Sequence, residues 1–90
     1  MSRTIWKFGL TFKDSQSFEM PRDAEILCVG LQDECINIWA EVVPERHRQM
    51  RHFEIRGTGH SIDPSMEKKY LGTVFLKNGL VFHVFERISE

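Results

Sequence analysis

Tyr70-Leu71-Gly72-Thr73-Val74-Phe75-Leu76-Lys77-Asn78-Gly79-Leu80-Val81-Phe82-His83-Val84-Phe85-Glu86 is the stretch on which the fold turns. Two short apolar runs flank Asn78-Gly79, a dipeptide that tolerates positive φ and favours the type I′ turn of a tight hairpin. Both runs are rich in β-branched and aromatic residues, and neither has the i, i+3, i+4 spacing of an amphipathic helix. They predict strands over Tyr70–Lys77 and Leu80–Ile88. In the second, Leu80, Phe82 and Val84 share one face, and Val81, His83 and Phe85 the other.

The same period of two recurs upstream. Trp6, Phe8, Leu10 and Phe12 alternate with Lys7, Gly9 and Thr11 across a first strand, Arg3–Phe12. Gln16–Met20 is a second strand, closed by Pro21, which offers no ladder donor. Ala24–Leu31 is a continuous apolar run and predicts a third strand buried on both faces. After the turn residues Gln32-Asp33-Glu34, Cys35–Val43 alternates with Ile36, Ile38, Ala40 and Val42 inward. This leaves Trp39 on the nominally polar face, either beneath a covering loop or facing a partner. Arg51–Arg56 is the fifth strand. Seven short strands without a helical stretch predict a single all-β domain over residues 1–90, a compact antiparallel sandwich or partly open barrel. The two-sided apolar patterns of the third and last strands place both at the centres of sheets.

Composition narrows the function classes. A formal net charge of −1 over 90 residues is not that of a dedicated nucleic-acid binder, so no nucleic-acid partner is expected. The charge is uneven: Arg46, Arg48, Arg51 and Arg56 outnumber Glu45 and Glu54, with His47 and His52 among them. Cys28 and Cys35 have no partners at metal-ligand spacing and read as free thiols of a reducing cytoplasm. No run is long enough to span a membrane, and neither a membrane partner nor a cofactor is expected.

The longest break between strands holds the candidate site. In Gly57-Thr58-Gly59-His60 two glycines permit positive φ and close approach of backbone N–H groups to a ligand, and such concavities bind anions. Thr58 adds a hydroxyl, His60 a titratable ring, and Arg56 or Lys69 positive charge. Arg56 and Arg51 fall on opposite faces of the fifth strand, so Arg56 is the better placed. Downstream, Asp63 and Pro64 read as the cap and first position of one helical turn. The signature of a phosphate loop is missing, because no Lys-Ser/Thr pair and no long helix follow. His83, sharing a face with Val81 and Phe85, reads as a buried and satisfied histidine.

Taken together, Thr4-Ile5-Trp6-Lys7, Met20-Pro21, Ala24-Glu25-Ile26-Leu27, Ile38-Trp39-Ala40, Phe53-x-Ile55-x-Gly57-Thr58-Gly59-His60, Tyr70-x-Gly72-Thr73 and Leu80-Val81-Phe82-His83-Val84-Phe85-Glu86 carry a resemblance over nearly the whole chain. The chain resembles a family of small bacteriophage- and prophage-encoded proteins with no assigned activity. The resemblance implies an accessory protein acting on a host component, such as a defence system, in the host cytoplasm. The leading expectation is a non-enzymatic binding protein that masks a host protein or captures a small anionic or nucleotide ligand. Its expected site residues are Arg56, Gly57, Thr58, Gly59, His60, Lys69 and Trp39. Two alternatives stand beside it: a small nuclease- or phosphodiesterase-type hydrolase using His60 with His83 or Asp63, and a structural component of a virion. Aromatics on both faces of several strands also predict a homo-oligomer.

Overall fold

The computed structural model describes residues 1–88. Seven strands form: β1 Thr4–Gly9, β2 Ser15–Pro21, β3 Glu25–Gln32, β4 Cys35–Val42, β5 Arg48–Gly57, β6 Lys68–Phe75 and β7 Val81–Arg87. They make two antiparallel sheets, one ordered β1-β4-β3 and the other β2-β5-β7-β6. The sheets face one another without closing into a barrel, and the body is thin, 43 × 32 × 16 Å. The smallest extent suits two sheets packed about 10 Å apart.

Alternation sets what lies between the sheets. Ile36, Ile38, Ala40 and Val42 of β4 are buried against Met20, Phe53, Ile55 and Val84 of the other sheet. Phe8, Phe18 and Phe53 stack in series, with ring centroids 5.8 and 5.0 Å apart. The series bridges the open side of the sandwich, where β1 and β2 form the free edges. On the opposite side β3 packs beside β6, so closely that a Cβ at Gly72 would lie 3.3 Å from that of Val29. Each of these two strands is bulged there, between Ile26 and Cys28 in β3 and between Tyr70 and Gly72 in β6. Bulges increase local twist, which turns one sheet edge toward the other.

Three local expectations are corrected. β7 is internal to its sheet, but β3 is an edge strand. Its apolar run looks two-sided because the bulge changes parity: Ile26 points inward before it, Val29 and Leu31 after it. The Asn78-Gly79 hairpin forms, but its turn is not type I′. Gly79 alone has positive φ, 91°, and its N–H donates to the Leu76 carbonyl while Leu76 N–H donates to that of Leu80. This is the three-residue loop with glycine in the left-handed position. The tight β3–β4 turn instead has positive φ at both central residues, Asp33 (53°) and Glu34 (60°). Finally, Asp63 and Pro64 start no helix. Met66 N–H donates to the Asp63 carbonyl, and the Asp63 carboxylate accepts from the Ser65 N–H and hydroxyl, closing a single β-turn.

The strand order sets the course of the β5–β6 connection. Because β7 lies between them, residues 58–67 must cross β7, and they do so on the face of the sheet that carries Arg56, opposite the buried Phe53 and Ile55. Ser61 offers its carbonyl to Arg56, Met66 is buried, and Ile88 N–H donates to the Glu67 carbonyl.

Candidate functional site

Gly57–His60 forms a β-turn, with His60 N–H donating to the Gly57 carbonyl at 3.0 Å and Gly59 at φ 92°. Positive φ at the third position is what glycine supplies there. The first glycine has a different cause. The His60 ring folds back over Gly57, whose N–H donates to Nδ1 at 3.2 Å, and a Cβ at 57 would lie 2.9 Å from His60 Cε1. An Nδ1 that accepts carries no proton, so this hydrogen bond places the neutral ring's N–H on Nε2. Thr58 N–H donates to the Val81 carbonyl, pinning the turn to the first residue of β7. Three of the four backbone N–H groups expected to cradle an anion thus have protein acceptors. That of Gly59 has none among the described residues.

Arg56 is anchored behind the turn. Its guanidinium donates to the carbonyls of Ser61 (3.1 Å), Asp14 (2.8 Å) and Ile55 (3.0 Å), and to the Glu54 carboxylate (3.0 Å). Glu54 is 2% exposed although it lies on the outer face of its sheet. There it also accepts from the Ser15 hydroxyl at 2.7 Å, with Arg87 Nε 3.9 Å away. A buried carboxylate needs such partners, since a lone one would be costly. Arg56 therefore ties β5, the β1–β2 turn and the crossover to one buried charge.

His83 also lies on that outer face, half-buried rather than sealed in the core. Its Nε2 is 2.8 Å from the Thr58 hydroxyl and its Nδ1 3.0 Å from that of Thr73, which in turn meets Tyr70 Oη at 2.5 Å. No hydrogen bond joins His60, His83 and Asp63 to one another among the described residues. The Ser65 hydrogen bonds, with the charge of Arg87, hold the exposed Asp63 carboxyl below its ordinary value.

Between the turn and the β6–β7 hairpin runs a groove of about 320 Å3, lined by Gly57, Thr58, His60, Gly79, Leu80, Val81 and Phe82. Exposed apolar groups gather at this end of the molecule. Leu80 is 52% exposed, Phe75 opposite Val81 is 70% exposed, and Phe12 packs on Phe82 with centroids 5.3 Å apart. Phe12, Phe75, Leu80 and Phe82 are not among the site residues expected from sequence. Their signal was present as large apolar residues beside an Asn-Gly turn, where a hairpin tip has little core to reach.

The remaining expected residues lie elsewhere. Lys69 pairs with Glu86 at the far end of β7 from the turn. Trp39 is half-buried on the outer face of the other sheet, against Gly30. Near Lys69 a second groove of about 320 Å3 includes Arg51 and Glu86, which form a two-pronged ion pair, with Arg51 also donating to the Ala24 carbonyl. Cys28 and Cys35 are both exposed; Cys35 sits opposite Gln32 and Cys28 opposite Trp39, so they do not face one another. No group of three metal-ligating side chains occurs among the described residues, and no helix there is long and apolar enough to cross a membrane.

A family model described as a domain of unknown function (DUF7352) matches residues 1–90. No curated protein and no solved structure matches the chain.

Proposed function

The chain belongs to the DUF7352 family, and from its own geometry we propose that it is a non-enzymatic binding protein that docks a protein partner at the groove between the Gly57–His60 turn and the β6–β7 hairpin. The observation that carries this reading is the set of exposed apolar side chains at that end of the molecule: Leu80 lines the groove, Phe12 packs on its Phe82, and Phe75 lies opposite its Val81. Such groups are costly to leave in water and are the usual anchors of an interface. An aliphatic or aromatic side chain of the partner enters the groove. The His60 Nε2–H and the Gly59 N–H, with Thr58 beside them, offer the partner's carbonyls donors at the rim.

Of the two modes of binding expected from sequence, holding a protein is favoured over capturing a small anion. The cation nearest the turn, Arg56, already serves three carbonyls and a buried carboxylate, and Lys69 stands at the other end of the sheet. Arg56 acts in this reading as a positioning residue behind the turn. With the phage or prophage origin that the sequence resemblance implies, the partner is a protein of the bacterial host, met in its cytoplasm.

The test is a paired capture from bacterial lysate with the wild-type chain and Leu80→Glu, followed by titration of whatever protein the wild type retains. Placing a charge at an apolar anchor should cost about 2 kcal/mol, roughly thirtyfold in affinity. A retained protein that binds both forms equally well would remove the groove from the interface.

A further inference from the structure

The free edge of β1 has a second role, independent of the groove. Leu10 N–H donates to the Ile36 carbonyl, and the β1–β4 register pairs Phe8 with Ile38, Trp6 with Ala40 and Thr4 with Val42. Hydrogen-bonded pairs alternate along an antiparallel ladder, so the even-numbered residues of β1 direct their backbone groups at β4. Those of Ile5, Lys7 and Gly9 point the other way, where no strand pairs with β1 among the described residues. Edges of this kind are ordinarily guarded by proline, a bulge or an outward charge. β1 has neither proline nor a register shift. Its one cation and that of the residue before it are drawn away from the edge: Lys7 Nζ reaches across β4 to Gln32 at 2.7 Å, and Arg3 pairs with Glu41 of β4 at 3.4 Å. Ile5 is left 58% exposed beside the open backbone.

We propose that β1 pairs with β1 of a second copy of this chain about a twofold axis, joining two three-stranded sheets into one of six. The charge pattern picks the register. Side chains opposite one another in an antiparallel pair share a face, so a twofold axis must lie beside a residue, and near the middle of β1 that residue is Ile5, Trp6 or Lys7. An axis at Lys7 sets Lys7 against its own copy, and an axis at Ile5 sets Arg3 against Lys7, both like-charge pairs. An axis at Trp6 sets Ile5 against Lys7 and Thr4 against Phe8, with the two Trp6 rings meeting on the inner face. Of the three, only this register is free of like-charge pairs, and it also brings the outward-pointing groups of Ile5 and Lys7 together as a hydrogen-bonded pair. A twofold contact is closed, so the assembly stops at two.

Sedimentation equilibrium of three forms tests this. Lys7→Pro removes an N–H that points to the edge and not to β4, so the fold survives while the pairing loses a donor twice over. Ile5→Lys sets like charges opposite one another at two symmetric places and should raise the dimer dissociation constant about tenfold or more. The wild type is expected to be a dimer at about 100 µM, with both variants shifted toward monomer and circular dichroism unchanged. If Lys7→Pro does not fold, Ile5→Lys decides. A monomeric wild type at that concentration overturns the proposal. So does an Ile5→Lys chain as dimeric as the wild type, or assembly beyond two. Leu80→Glu should leave the dimer intact, which separates this contact from the groove.

Discussion

Glu54→Ala is the substitution whose effect follows most directly from the structure. The carboxylate is 2% exposed, and one of its oxygens accepts from both the Ser15 hydroxyl and the Arg56 guanidinium. Alanine would leave Arg56, whose side chain is 15% exposed, without a counter-charge. Removing one member of a buried ion pair costs about 3 to 5 kcal/mol, because the survivor stays desolvated. Arg56 keeps three carbonyl acceptors, so the lower end, about 3 kcal/mol, is the expected loss. A domain of this size has about 5 to 13 kcal/mol in total, so the variant should melt some 12 to 24 °C lower. Glu54→Gln separates charge from shape. Its amide oxygen can still accept from Arg56, and the loss should be only about 1 to 2 kcal/mol. Urea unfolding followed by tryptophan fluorescence and circular dichroism measures both. If Glu54→Ala costs less than about 1 kcal/mol, the value of an ordinary surface change, the account of Arg56 as a structural clamp is wrong.

Gly57→Ala and His60→Ala should be coupled. In the wild type the new methyl displaces the His60 ring and costs about 1 kcal/mol, whereas in the His60→Ala background the same change should be neutral or slightly stabilising, as a double-mutant cycle will show. Asp63, with its pKa depressed below 3.8 by Ser65 and Arg87, favours the folded state above that value and loses this contribution as pH falls through the folded pKa. Melting of wild type and Asp63→Asn between pH 5 and about pH 2 should therefore show a wild-type advantage that fades on acidification. Phe53→Ala removes a fully buried ring stacked on Phe18 and should cost about 3 to 5 kcal/mol in the same urea assay.

The strands were legible in the sequence because the core is built by alternation, and Ile36, Ile38, Ala40 and Val42 lie inward as their spacing predicts. What alternation could not show is a change of parity. A bulge at Leu27 makes one-sided burial in β3 read as two-sided, and an edge strand read as a central one. The site was legible in part. Two glycines and a histidine marked a special turn, yet sequence alone does not show that the first glycine makes room for the histidine ring. Glu54 lay equally out of reach. Its parity places it on the outer face, and only the crossover and Arg56, which reaches the Asp14 carbonyl 42 residues away, bury it there. Contacts so distant along the chain leave no periodic trace.

The place of β7 between β5 and β6 also orders events in time as the chain is made. The sheet β1-β4-β3 has all its strands once Val42 is synthesised, whereas its partner sheet lacks an internal strand until Arg87. At roughly 5 to 20 residues per second the interval is about two to nine seconds. Until Arg87 is made β5 and β6 have no ladder between them, and the buried face of the finished sheet has β2 and β5 to pack on but lacks Val84. β7, made after both, must then enter between two strands already present, beneath a connection that spans the gap. Interruptions of synthesis before Val81 should therefore release chains with an assembled half-core and a vacant slot, a form suited to chaperones and proteases rather than to binding a partner.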